Sequence, residues 1–337
     1  MPDLCNSRNP SDGDRHKHKA RAISLPLRFP QPRDSRFKFR YDRLDMPTMI
    51  CKPNPAFARA LFALVFLFAN FSTYAQGPPP GAPRPPGQNA NGMRVFLWTG
   101  LKSHSVGQHD YPQFLADWSK LLTERGAVAD GALHAPSNAD LERADVVVIY
   151  KGDAGYLSDA TKSALLEFVK RGGGIVSLHD ALCGPDPAFL ASLLGGAKKH
   201  GEVNYTLDAP VPYTVVDKAN PIMKDMPDLT ITDEAFFQMT WAKDPGIKVL
   251  ATAEIAATRS AGDHKGEKVP QIWSYEHALA GGQSARAFVW MQGHMYANFT
   301  NPDIQRMLLR GIAWAGKKPV DELVNYVAPP RPPRPAA

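Results

Sequence analysis

The chain predicts an α/β protein built on a doubly wound, mostly parallel sheet, with extra strands in its second half. Two observations carry that class. Val146 to Tyr150 is a continuous apolar run of strand length, the pattern of a strand covered on both faces in a parallel sheet, and the mostly apolar Ile175 to Leu178 reads as the next strand. Amphipathic helical segments alternate with such strands, and a β-α-β-α-β order winds into right-handed crossovers.

Taken in order, Arg94 to Trp98 is a β-prone apolar segment. Tyr111 to Arg125 carries Phe114, Leu115, Trp118, Leu121 and Leu122 at helical spacing and ends before Gly126. After Val146 to Tyr150, a helix over Ser158 to Arg171 is capped by Ser158 or Asp159. It turns Leu165, Leu166, Phe168 and Val169 inward and stops at Gly172. Asn204 to Leu207, Tyr213 to Val216, Ile247 to Thr252, Val269 to Tyr275 and Ala287 to Met291 read as further strands of unassigned pairing. Pro302 to Ala315 is a closing helix with Asn301 as cap and proline at its first position.

The ends of the chain read differently. Residues 1–48 look like an over-long start, with Met46 or Met49 as alternatives to Met1. From Met49 come Lys52 and Arg59, an apolar run from Ala60 to Phe71, and Thr73-Tyr74-Ala75. That order is a secretory signal peptide spanning 49–75, cut after Ala75, and its apolar run is too short to span a bilayer. A Pro/Gly-rich linker (76–91), one domain (92–318) and a proline-rich tail (319–337) follow. The expected product is periplasmic or secreted, with no stable membrane anchor.

Of 39 Lys and Arg and 33 Asp and Glu, 13 and 6 precede Gln76, leaving 26 against 27. The body is close to neutral, and a nucleic-acid partner is not expected. Cys5 and Cys51 also precede the cut, so Cys183 stands alone in the mature chain and no internal disulfide forms.

Polar residues gather after the predicted strands. His104, His109 and Asp110 follow the first, His179 and Asp180 end the run Gly172-Gly173-Gly174-Ile175-Val176-Ser177-Leu178, and His294 follows Ala287 to Met291. His200 and the pair Asp233-Glu234 fall in intervening loops. The ends of parallel strands are where ligands sit, and the glycine-led strand ending in His179 has the spacing of a nucleophile elbow. Histidines and carboxylates can act as general acid and base or hold a divalent metal such as zinc. No compact signature such as His-Glu-x-x-His is present, so a metal site among His179, His200, Glu234 and His294 requires the fold to bring them together. His104, His109, Asp110, Asp180 and His200 are expected to contact substrate, while His134, His264 and His277 read as surface residues. Cys183 is either a packing residue or a nucleophile. Trp241 and Tyr205 are either core aromatics or sugar-stacking ones.

The pattern resembles the ThuA-like (trehalose utilisation) family, relatives of the class I glutamine amidotransferase fold, over roughly Arg94 to Gly316. It rests on Thr99-Gly100 with Ser103-His104, the run Gly172 to Ala181, Gly195-Gly196 with His200, Asn220-Pro221-Ile222, Asp233-Glu234, Gln292-Gly293-His294, and Arg310 to Ala315. The resemblance implies a flavodoxin-like sheet and a small-molecule carbohydrate partner, a trehalose-type disaccharide or its oxidised keto derivative. It also places His179 where an amidotransferase carries its cysteine, His294 at the later histidine and Tyr296 at the glutamate, so amidotransferase activity is disfavoured. The expected activity is acid-base or metal-assisted chemistry by His179, His294 and Glu234. The alternatives are a non-catalytic carbohydrate-binding module and a thiol-dependent hydrolase using Cys183.

Overall fold

The structure, a computed structural model, is described over residues 92–328. The expected extension, signal peptide, linker and the end of the tail lie outside the described residues. Among the described residues, no helix is long and apolar enough to cross a membrane.

The first half contains β1 (Arg94–Thr99), α1 (Tyr111–Glu124), β2 (Val128–Ala132), α2 (Asn138–Arg143), β3 (Val146–Tyr150), α3 (Asp159–Lys170) and β4 (Gly174–Leu178). A 3-10 turn, His179–Leu182, then leads to β5 (Cys183–Gly184), α4 (Pro187–Leu194) and β6 (Gly196–Lys199). The second half contains β7 (Tyr205–Val215), β8 (Thr230–Phe236), β9 (Thr240–Trp241), β10 (Ile247–Glu254), β11 (Lys268–Ala278), β12 (Ser284–Trp290) and α5 (Pro302–Ala315).

Nine strands form one sheet in the order β2-β1-β3-β4-β12-β11-β10-β7-β8. The block from β2 to β12 is parallel, and every later pairing is antiparallel. A smaller sheet, β5-β6-β9, stands beside it. Sequence had suggested three parallel strands before His179. There are four, because the short β2, with little apolar patterning, pairs at the edge beside β1.

Alternation along the parallel strands explains the double winding, since successive side chains point to opposite faces. Val95 and Leu97, Val146, Val148 and Tyr150, and Phe288 and Trp290 join one core with α1 and α5. Phe96 and Trp98, Val147 and Ile149, and Ala287 and Val289 join the other with α2, α3 and α4. The crossover after β1 therefore uses one face and that after β3 the other. The resulting switch point lies between β1 and β3, where the carboxyl ends leave a crevice.

Helix ends follow their local chemistry. Ser158 accepts from the Thr161 N–H, and Asn301 accepts from the N–H groups of Asp303 and Ile304, satisfying donors that a first turn leaves unpaired. Residues 319–326, assigned to the tail from sequence, pack on the domain. Leu323 is buried, and Arg125 donates to the Val324 carbonyl at 2.7 Å.

Candidate metal centre

Four chain segments deliver one side chain each to the carboxyl edge of the sheet. The β1–α1 loop brings His109, the turn after β4 brings His179, β8 brings Glu234, and the loop after β12 brings His294. All four are buried. His109 Nε2 lies 2.9 Å from His179 Nε2 and 3.0 Å from His294 Nδ1. Glu234 Oε2 lies 3.4 Å from each of those last two nitrogens. All four ligand atoms are within 4.8 Å of one another.

Backbone geometry aims these groups. His109 and His179 have φ of 47° and 54°, a left-handed conformation that non-glycine residues rarely adopt and that clusters at functional sites. At His179 it makes the expected elbow, turning the imidazole out of β4. Gly293, at φ 122°, sits against the Phe299 ring, where a side chain would be strained.

Asp233 organises the loop that carries His294. Its carboxylate accepts from the backbone N–H groups of Glu234, Gly293, His294 and Met295 and from Asn298 Nδ2. Burial pushes its pKa up to about 6 against the pull of those donors.

The donor set fits a divalent cation. The Met291 carbonyl can only accept, so His179 Nδ1, 3.2 Å away, carries the ring proton and Nε2 presents a lone pair. His109 Nε2 can donate to only one of its two imidazole neighbours. Lone pairs therefore converge on a shared point. A tetrahedron of ligands ~2.0–2.1 Å from a metal has edges of about 3.3 Å, near the separations here. Outer partners orient the rings: Met291 for His179, Ser103 Oγ at 3.1 Å from His109 Nδ1, and Asp208 Oδ1 at 3.9 Å from His294 Nε2.

Electrostatics agree. Burial, then neighbouring imidazoles, hold His109 and His179 well below the ordinary histidine value. Burial also lowers His294, but Glu234 and nearby carboxylates outweigh it and the net shift is upward. Burial raises Glu234 to about 7 despite the pull of His294. The interior favours neutral imidazoles at His109 and His179, the form that binds metal, whereas at His294 the carboxylates favour the charged ring, whose proton a cation would displace.

Several expectations change. His109, expected as a substrate contact, is a ligand candidate, whereas His200 is not in this group. His200 Nδ1 instead pairs with Asp153 Oδ1 at 2.7 Å. Asp233 and Glu234 lie within β8 rather than a loop, because β8 pairs along β7. Asp110 bridges to Lys102 at 3.1 Å. His277 is buried rather than superficial, its ring stacked on Tyr275 at 4.0 Å. Trp241 packs edge-on against Trp273.

His104 is exposed beside the group, its ring 4.0 Å from His109 and 5.5 Å from His294. Asp180 is partly buried, and burial raises its carboxyl pKa. Two neighbours were missed in the sequence. Lys198 is buried, its ammonium 4.6 Å from the centre of the Phe236 ring, which stacks on His179. Asp208 faces His294 and accepts from Gln108. No periodicity marks either residue.

Cys183 is buried, and burial raises its thiol pKa. Tyr296 donates to Asp117 at 2.6 Å on α1, so it does not orient His294 as an amidotransferase glutamate would.

A doubly wound α/β protein with a histidine elbow and a buried three-histidine, one-glutamate centre is the class that fold and site define. The chain belongs to the ThuA family, described as trehalose utilisation, whose sequence model matches residues 94–315. A solved ThuA-like protein from Bacteroides uniformis is 17% identical over 71% of this chain and 95% of its own, with TM-score 0.52. Another, from Parabacteroides merdae, is 21% identical over 67% of this chain and 91% of its own, with TM-score 0.50. At these identities the likeness speaks to the fold. A search of curated proteins found no match.

Proposed function

We propose that this chain is a periplasmic or secreted metal-dependent enzyme acting on a sugar or an oxidised keto-sugar. The observation that carries the reading is the convergence of His109 Nε2, His179 Nε2, His294 Nδ1 and Glu234 Oε2 from four segments onto one point. A divalent zinc, manganese or iron held there would polarise a sugar oxygen and acidify a water. His104, Asp208 and Gln108 sit at the mouth to engage sugar hydroxyls, while Asp180 offers a carboxyl to move a proton. Proton abstraction beside a carbonyl, or hydrolysis of a glycosidic bond in a keto-sugar, suits this set. Family membership supports the substrate class, and the segment 49–75 supports export. The non-catalytic carbohydrate-binding reading draws on the missing elbow cysteine. Buried, shifted titratable groups favour catalysis.

The test is to incubate full-length protein, chelated and then reloaded with zinc or manganese, with trehalose-type disaccharides and their keto derivatives. Turnover by reloaded protein alone, lost in His179→Ala, is expected. Saturable binding without turnover under every loading would establish the binding module instead, and neither binding nor turnover would overturn both readings.

A further inference from the structure

A second group of ligating atoms lies outside the centre just described. Asp153 follows β3, Cys183 is the first residue of β5, and His200 follows β6. One ligand atom from each lies within 4.8 Å of the others. His200 Nδ1 is 2.7 Å from Asp153 Oδ1 and 4.0 Å from Cys183 Sγ.

Backbone contacts fix the three segments. Cys183 pairs with Lys198 across parallel β5 and β6, His200 N–H donates to the Gly184 carbonyl at 3.0 Å, and Gly155 N–H donates to the Cys183 carbonyl at 2.9 Å. Gly155 and Gly184 back onto each other so closely that a Cβ on either would meet the other's Cα at 2.6–2.7 Å. That approach brings the Asp153 loop against the cysteine. Asp153 itself is left-handed, at φ 49°.

A Cys-His-Asp catalytic triad is one reading of these residues, but a triad uses both imidazole nitrogens, one for the nucleophile and one for the carboxylate. Here Nδ1 faces both partners, so it cannot relay a proton between them. Sulfur, nitrogen and oxygen meeting on one point is ligand geometry. Burial and the nearby carboxylates hold the thiol protonated in the metal-free chain, Lys198 Nζ at 3.9 Å from Sγ only partly opposing them, so metal binding here displaces a proton from the sulfur.

We propose that Asp153, Cys183 and His200 form a second divalent-metal site of zinc type, with one sulfur, one nitrogen and one oxygen ligand and a remaining position open to solvent. Thiolate and imidazole select zinc-like ions over magnesium or calcium. The open side follows from exposure, since the His200 and Asp153 side chains are 43% and 39% accessible. The site is independent of the first centre and stands or falls separately.

The test uses the reduced full-length chain with Cys5→Ser and Cys51→Ser, so that Cys183 is its sole thiol. Titration with Co²⁺ is expected to give two ions per chain and a near-ultraviolet thiolate-to-cobalt charge-transfer band. Cys183→Ser should lose the band and one ion, whereas His179→Ala should lose one ion and keep the band. As a second measurement, zinc should slow alkylation of Cys183, and His200→Ala should lose that protection at zinc concentrations that protect the parent. Absence of the band in the parent, or alkylation unaffected by zinc, would overturn the proposal. Neither result would bear on the first centre.

Discussion

His109 Nε2 and His179 Nε2 stand 2.9 Å apart in the interior, one delivered by the loop after β1 and the other by the elbow after β4. Because His179 has its proton on the opposite nitrogen, directed at Met291, the contact is completed by a proton on His109 or by a cation shared with His294 and Glu234. His109→Ala is expected to release metal from this centre, whereas His104→Ala, removing an exposed ring 4.0 Å away, is expected to retain it. Elemental analysis of the two variants distinguishes them, and equal metal in both would refute the ligand role of His109.

Asp233 shapes the centre without joining it. In Asp233→Asn one carboxylate oxygen becomes an NH₂ group that cannot accept the N–H groups converging from Glu234 and the Gly293–Met295 loop. Leaving buried donors unpaired costs about 1–3 kcal/mol. Denaturant unfolding should show that loss, with weaker metal binding as His294 drifts. Unchanged stability would mean the loop holds itself.

The pH response follows from opposed shifts. Glu234 and Asp233 are raised, to about 7 and about 6 from ordinary values of 4.5 and 3.8. Their contribution to stability is therefore complete below the ordinary values and lost as pH rises through the folded ones. His109 and His179 are lowered from 6.5, so theirs is present above 6.5 and lost as pH falls through their folded values. These trends oppose each other in the metal-free protein. Metal binding requires the ligating atoms of His109, His179, His294 and Glu234 to be unprotonated, so zinc should raise Tm far more at pH 8 than at pH 5. Calorimetry with and without zinc reads this directly, and an equal shift at both pH values would contradict it.

Elements with strong local patterning were legible in the sequence. The apolar run Val146 to Tyr150 is β3 itself, and Pro302 to Ala315 with its Asn301 cap is α5 itself. The elbow was legible because a glycine-led strand running into His179 and Asp180 sets titratable side chains at the carboxyl end of a parallel strand. Strand order was not. β12 slots beside β4 from more than a hundred residues away, and only that pairing sets His294 next to His179. The β7–β8 register likewise decides that Glu234 reaches the centre, and no local feature separates it from a surface carboxylate. From sequence, His200 rather than His109 stood among the metal candidates, because nothing local separates one loop histidine from the other. The two-residue pairing of β5 with β6, too short to leave a pattern, draws His200 to Cys183 and Asp153 instead.

The central claim is that His109, His179, His294 and Glu234 hold a divalent cation. Its most direct test is zinc stoichiometry by equilibrium dialysis and elemental analysis in a Cys5→Ser, Cys51→Ser and Cys183→Ser background, with and without His179→Ala. The background protein should hold one zinc per chain and the His179→Ala variant none. No zinc in the background protein, or one zinc persisting after His179→Ala, would contradict the account.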